Sequence, residues 1–344
     1  MTMAKAWIRR AAPLLPMIAM SSYAVAQSTA PAAPIPMPTP APTMQPLPAT
    51  LSEQARTAIT TGSTDNPNKM PSLADQRKFI DQYQQTFGAL QRKKYAVDIS
   101  ESTMGGVKVR LIRKAGTPAT SKRVFLNLHG GGFVTDSGSL TENIPIAALT
   151  GVPVVAVLYR QAPESPFPAQ ADDALAVYRE LLKTHAAKDI GIYGTSAGAI
   201  LGPELLMRIR AAKLPMPSVL GVFSGDLDLS RRGDSILANK SYEMLAGLLN
   251  AFYLPKGQSA ADPMVSPILG DLKGFPPTMC MTSSRDVFVS STSNFCLALE
   301  EAGVENKLVS FDGLPHAFWA YIDAPESDRA FKIQARFLLG HLGR

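Results

Sequence analysis

From Val107 onward, short apolar runs rich in β-branched residues alternate with longer stretches that carry helical spacing. The runs lie at 107–112, 124–128, 154–159, 190–193, 219–223, 279–282 and 308–311, and the helical patterns at 171–182, 197–212, 290–302 and 327–339. The runs are too uniformly apolar for strands with one wet face. Their alternation with helices therefore predicts an α/β fold built on a mostly parallel sheet covered on both sides. Ligands of such sheets sit outside the carboxyl ends of the strands, so chemistry is expected at that edge.

Composition narrows the function classes. The chain has 344 residues, 46% of them apolar, and only two cysteines, Cys280 and Cys296. That is enough to bury a large core without disulfide or metal staples, and the two thiols are expected to be free and buried. Basic residues outnumber acidic ones 34 to 28, but Lys5, Arg9 and Arg10 stand alone at the extreme N-terminus. The remaining excess is slight and not interleaved with aromatics, so no nucleic-acid partner is expected.

The N-terminal end reads as an export address. Lys5, Arg9 and Arg10 precede a mostly apolar stretch to Met20, and Ala24-Val25-Ala26 follows as a small-x-small cleavage site. This order predicts a signal peptide over 1–26 and a secreted or periplasmic protein. Pro13 and Pro16 interrupt the apolar stretch, which is shorter than the roughly 20 residues a bilayer span needs. No stable membrane span is expected once it is removed. Residues 27–50 hold eight prolines and read as a solvated linker before a body at 51–344.

Three loop motifs fall at strand ends. Gly194-Thr195-Ser196-Ala197-Gly198 lies between a strand and a helix, the setting of a nucleophile elbow. Its glycines remove side chains that would collide in a very tight turn, and the following helix aims its first N–H groups at charge developing near Ser196. His129-Gly130-Gly131-Gly132-Phe133 follows the strand at 124–128, and its bare glycines can bring N–H groups onto an oxyanion beside that of Ala197. Gly130, Gly131 and Ala197 are the donors expected. His129 itself reads as a structural hydrogen-bonding residue.

The third motif, Gly313-Leu314-Pro315-His316, follows the last strand. His185 and His341 read as solvated surface residues, which leaves His316 as the base. Asp286, after the strand at 279–282, is the leading acid, and Asp226, after the preceding strand, is the alternative. Asp312 is too near His316 in the chain to reach its far ring nitrogen. The order Ser196, Asp286, His316 is that of α/β-hydrolases.

These motifs together with Tyr159-Arg160-Gln161-Ala162-Pro163-Glu164, Pro166-Phe167-Pro168, Gly225-Asp226-Leu227-Asp228-Leu229 and Asp262-Pro263 resemble the bacterial hormone-sensitive-lipase family of esterases, in its GTSAG-bearing branch. The resemblance implies an α/β-hydrolase fold and a serine carboxylesterase acting on short- to medium-chain esters through an acyl-enzyme. It implies no metal or organic cofactor. It also implies a helical cap from about 51–100 and 231–254, roofing pockets lined by Phe133, Met244, Leu245, Leu248, Phe252 and Phe318. A lactonase, amidase or acyltransferase would use the same residues, and a non-catalytic binder of small molecules would lack the histidine. Exposed chain ends and an edge strand are compatible with a homodimer. Val287-Phe288-Val289 follows Asp286 where the family often carries a second acid, which makes the acid the least constrained member of the set.

Overall fold

The computed structural model describes residues 46–61, 72–118, 120–238 and 240–343. The expected signal peptide and the linker as far as residue 45 lie outside the described residues. The linker was expected to run to Thr50, but its end is already part of the body. Leu47 and Pro48 are half-buried, and the Arg285 guanidinium donates to Pro46 O at 2.8 Å.

Eight strands form one sheet among the described residues, in the order β1-β2-β4-β3-β5-β6-β7-β8. They are β1 Val97–Met104, β2 Val107–Lys114, β3 Val124–Leu128, β4 Val154–Val157, β5 Ile190–Thr195, β6 Val219–Phe223, β7 Thr278–Arg285 and β8 Asn306–Pro315. From β4 through β8 every pairing is parallel, while β1 and β2 pair antiparallel with each other and β2 with β4. Strands β3 to β6 are buried on both faces, which is why their sequences are continuous apolar runs.

Successive side chains feed two cores. On one face Leu126, Leu128, Ile192 and Val222 meet helices α4 (Ala169–Leu181), α5 (Ala197–Ala211) and α8 (Val289–Glu301). On the other, Phe125, Tyr193, Phe223 and Met281 meet α3 (Asn143–Thr150), α9 (Phe318–Tyr321) and α10 (Pro325–His341). Cys280 on β7 and Cys296 on α8 are both free and buried, as expected.

The N-terminal segment expected in the cap is helical over Glu53–Thr61 and Leu73–Lys94. Helix α1 (Glu53–Thr61) packs on α10 and β8, where Ser52 N–H and Oγ bind Glu326 at 2.7 and 2.8 Å. Helix α2 (Leu73–Lys94) is stapled to the loop after the triple glycine, through Gln84 to Asp136 O and Leu140 N–H and through Gln91 to Thr141 O. Residues 97–104 belong to the sheet as β1. The second cap segment is helical as expected, comprising α6 (Asp234–Leu237) and α7 (Lys240–Tyr253). No described helix is long and apolar enough to cross a membrane.

Candidate active site

The end of β5 passes directly into α5 through Ser196, whose φ of 57° and ψ of −120° lie outside the conformations that side chains ordinarily adopt. The turn closes because glycine stands on both sides. A Cβ at Gly198 would stand 1.7 Å from Leu128 O, and one at Gly194 would stand 2.4 Å from the Gly198 backbone. These are backbone contacts of the first turn of α5 with β3 and β5, which no side-chain rotation relieves. The Ser196 N–H is fixed to Phe223 O at 3.0 Å. Its hydroxyl makes no hydrogen bond among the described residues and borders a small cavity.

Beside it runs the glycine loop. Gly131 has a φ of 115°, and a Cβ there would stand 2.1 Å from Thr135 O, so the loop's path demands glycine. The expected donor set requires one correction. Gly130 N–H already donates to Glu142 Oε1 at 3.0 Å and is not free for a ligand. The N–H groups of Gly131, Gly132 and Ala197 have no such partner among the described residues. Glu142 is buried, and desolvation pushes its carboxyl up to about 8 despite donors from Gly130 N–H and Asn127. His129 is structural, as expected: fully buried, stacked on Tyr159 at 4.1 Å, with Nδ1 on Gly130 O at 2.8 Å.

At the end of β7, Asp286 lies 2.9 Å from His316 Nδ1, on the turn after β8. Asp286 is fully buried. Burial alone raises its carboxyl, but His316, the Ser224 hydroxyl and the Phe288 N–H outweigh this and hold it below the usual carboxylate range. Thr282 Oγ1 adds a donor at 3.2 Å. Ser224 was not anticipated. It follows β6 with a φ of 60°, is fully buried, and places Oγ 2.7 Å from His316 Nδ1. A lone serine after a strand carries no sequence signal; only its left-handed backbone marks the position.

The other expectations divide. Asp226 does not touch His316; its Oδ2 pairs with Arg232 at 3.1 Å, and burial pushes its carboxyl up to about 7. Asp226 borders the cavity of about 20 Å³ beside Ser196, with Phe133, Ile200, Leu229, Tyr253 and Phe288. Phe133 was expected there and stacks on Tyr253 of α7 at 3.6 Å. Phe252 is half-buried against the core on the α5 side. Phe318 does not line the site, being fully buried on the opposite side of the sheet between Phe311 and Trp319. The side chains of Met244, Leu245 and Leu248 lie outside the described ones. His185 and His341 are half-buried rather than solvated, held by Ser121 O and by Phe337 O and Glu305.

Residues 125–320 match the family described as alpha/beta hydrolase fold. Among characterised proteins, an esterase of Acinetobacter venetianus is 31% identical over 249 residues, covering 67% of this chain and 82% of its own. An ethyl acetate hydrolase of Pseudomonas putida is 32% identical, covering 64% and 74%. Among solved structures, esterase E25 superposes with a TM-score of 0.75 at 30% identity, covering 88% of this chain and 98% of its own. An esterase from the bacterial hormone-sensitive lipase family gives 0.71 at 26% identity, covering 82% and 94%. The chain belongs to the α/β-hydrolase family, within its bacterial hormone-sensitive-lipase group of esterases.

Proposed function

We propose that the protein is a serine carboxylesterase for short-chain esters, with Ser196 as nucleophile, His316 as general base and Asp286 as the acid that orients it. The carrying observation is the buried Asp286–His316 pair, fixed through Nδ1 so that Nε2 is left for Ser196, which follows β5 at the same carboxyl edge of the sheet. His316 accepts the Ser196 proton as the hydroxyl attacks the ester carbonyl and returns it to the leaving alkoxide. The N–H groups of Gly131, Gly132 and Ala197 take the oxyanion, a set that replaces Gly130 by Gly132. Water then enters through the same histidine and releases the acid. Asp286, already charged and buried, gains from the imidazolium that forms.

The small volume left beside Ser196, closed in by Phe133 and Tyr253, favours short substrates, and the relative named ethyl acetate hydrolase supports the same size class. Hydrolysis of p-nitrophenyl esters from acetate to laurate by wild type and Ser196→Ala tests the reading. Activity falling with chain length and lost in the variant is expected; activity retained in the variant overturns it. Export by residues 1–26 belongs to the same proposal, and a mature N-terminus at Gln27 in the periplasm or medium is its expected outcome.

A further inference from the structure

The cavity beside Ser196 contains one polar group that the proposed mechanism does not use. Its walls are apolar, from Phe133, Ile200, Leu229, Tyr253 and Phe288, and the carboxylate of Asp226 is set among them. Asp226 is only 3% exposed, and Arg232 takes its Oδ2 at 3.1 Å. Oδ1 has no hydrogen-bond partner among the described residues. Two polar neighbours flank the carboxylate. The Ser291 oxygen accepts Leu227 N–H at 2.8 Å while its hydroxyl favours the Asp226 charge, and Asn250 donates to Leu229 O at 2.9 Å.

A carboxylate serving only to hold Arg232 has no need to border an apolar cavity, and a guanidinium can engage both oxygens at once. Leaving a buried acceptor unmet is costly, so an occupant that donates to it gains more than it would from water. A site built to bond a substrate hydroxyl also rejects the analogue lacking it. We propose that Asp226 Oδ1 receives a hydroxyl carried by the substrate near its ester group, which makes short hydroxy-substituted esters the preferred class. This rests on the esterase reading. The hydroxyl can come from the acyl or the alcohol side, and the assay separates the two.

The test compares kcat/KM by pH-stat for methyl 3-hydroxybutyrate against methyl butyrate, and for 2-hydroxyethyl acetate against ethyl acetate. Wild type is expected to favour the hydroxylated member of one pair by about 10- to 100-fold, the range of a hydrogen bond to a charged group. In Asp226→Leu, which keeps the bulk and removes the acceptor, that ratio falls to about one. Asp226→Asn supplies a second reading if the leucine variant does not fold. Its amide oxygen faces Arg232 and its N–H faces the cavity, so it gains on methyl 4-oxopentanoate, which carries a carbonyl acceptor, relative to wild type. Ratios near one for both pairs in wild type, or a ratio unchanged in the leucine variant, overturn the proposal while leaving the esterase reading standing. If neither plain nor hydroxylated esters are cleaved, the esterase reading fails and this one with it.

Discussion

Ser224 offers the sharpest mutational test of the charge relay. Its φ of 60° is one that glycine adopts freely, so Ser224→Gly removes the hydroxyl and relieves the backbone in one step. Relief of left-handed strain and the extra chain entropy of glycine nearly offset each other, so stability should change by no more than about 1 kcal/mol. The hydroxyl, however, is one of the groups that keep the buried Asp286 ionised beside His316, with its oxygen 2.7 Å from Nδ1. A hydrogen bond to a charged group contributes about 1.5–3 kcal/mol, so kcat/KM for p-nitrophenyl acetate should fall about 10- to 100-fold.

The sign of the pH effect follows. Asp286 is depressed in the folded protein, and losing a donor moves it back upward, so the acid limb of the rate profile should shift to higher pH. Rates between pH 4 and 9, with thermal unfolding by circular dichroism on the same samples, decide it. Full activity in the glycine variant refutes the relay role, and a loss of rate matched by a large drop in Tm makes Ser224 merely structural.

Three other substitutions probe separate parts of the account. Gly198→Ala should abolish both soluble expression and activity, because its Cβ meets Leu128 O at 1.7 Å; an active, folded variant would show that the elbow can relax. Glu142 is raised to about 8 in the fold, so wild type should lose stability as pH climbs from about 5 to 8, by at most about 1.4 kcal/mol per unit. Glu142→Gln should flatten that slope in thermal melts, whereas parallel slopes would mean that Glu142 stays ionised. Arg77 of α2 donates to Val134 O and Ala162 O as well as pairing with the exposed Glu164. Arg77→Ala should therefore cost about 2–3 kcal/mol of stability against no more than about 1 for Glu164→Ala, measured by urea unfolding; equal losses would put the whole effect in the ion pair.

The parts of this site that were legible in the sequence are those in which chemistry constrains residue type. The elbow needs glycine at 194 and 198 because of backbone collisions, and the loop at 131 needs it for its backbone path, so both announce themselves. His316 and Asp286 are marked by their place after strands. What stayed hidden depends on where groups point. Gly130 looks like its neighbours until Glu142 is seen to take its N–H. Phe318 follows the histidine closely, yet the left-handed turn at Ala317 sends it into the far core. Strand β1 is exposed along most of its length and so lacks an apolar run, and α3 is too apolar all round to show a period. The end of the linker looked solvated because prolines dominate it, although Pro48 lies against Gly313.

The central claim is that Ser196 and His316 act on one reacting carbonyl. Treating the folded protein with a fluorophosphonate, digesting it and locating the adduct by mass spectrometry tests this most directly, with His316→Ala run beside wild type. A single adduct on Ser196 that forms rapidly in wild type and at least about 1000-fold more slowly in the variant is the predicted result. An adduct on another residue, or equal rates in the two proteins, contradicts it.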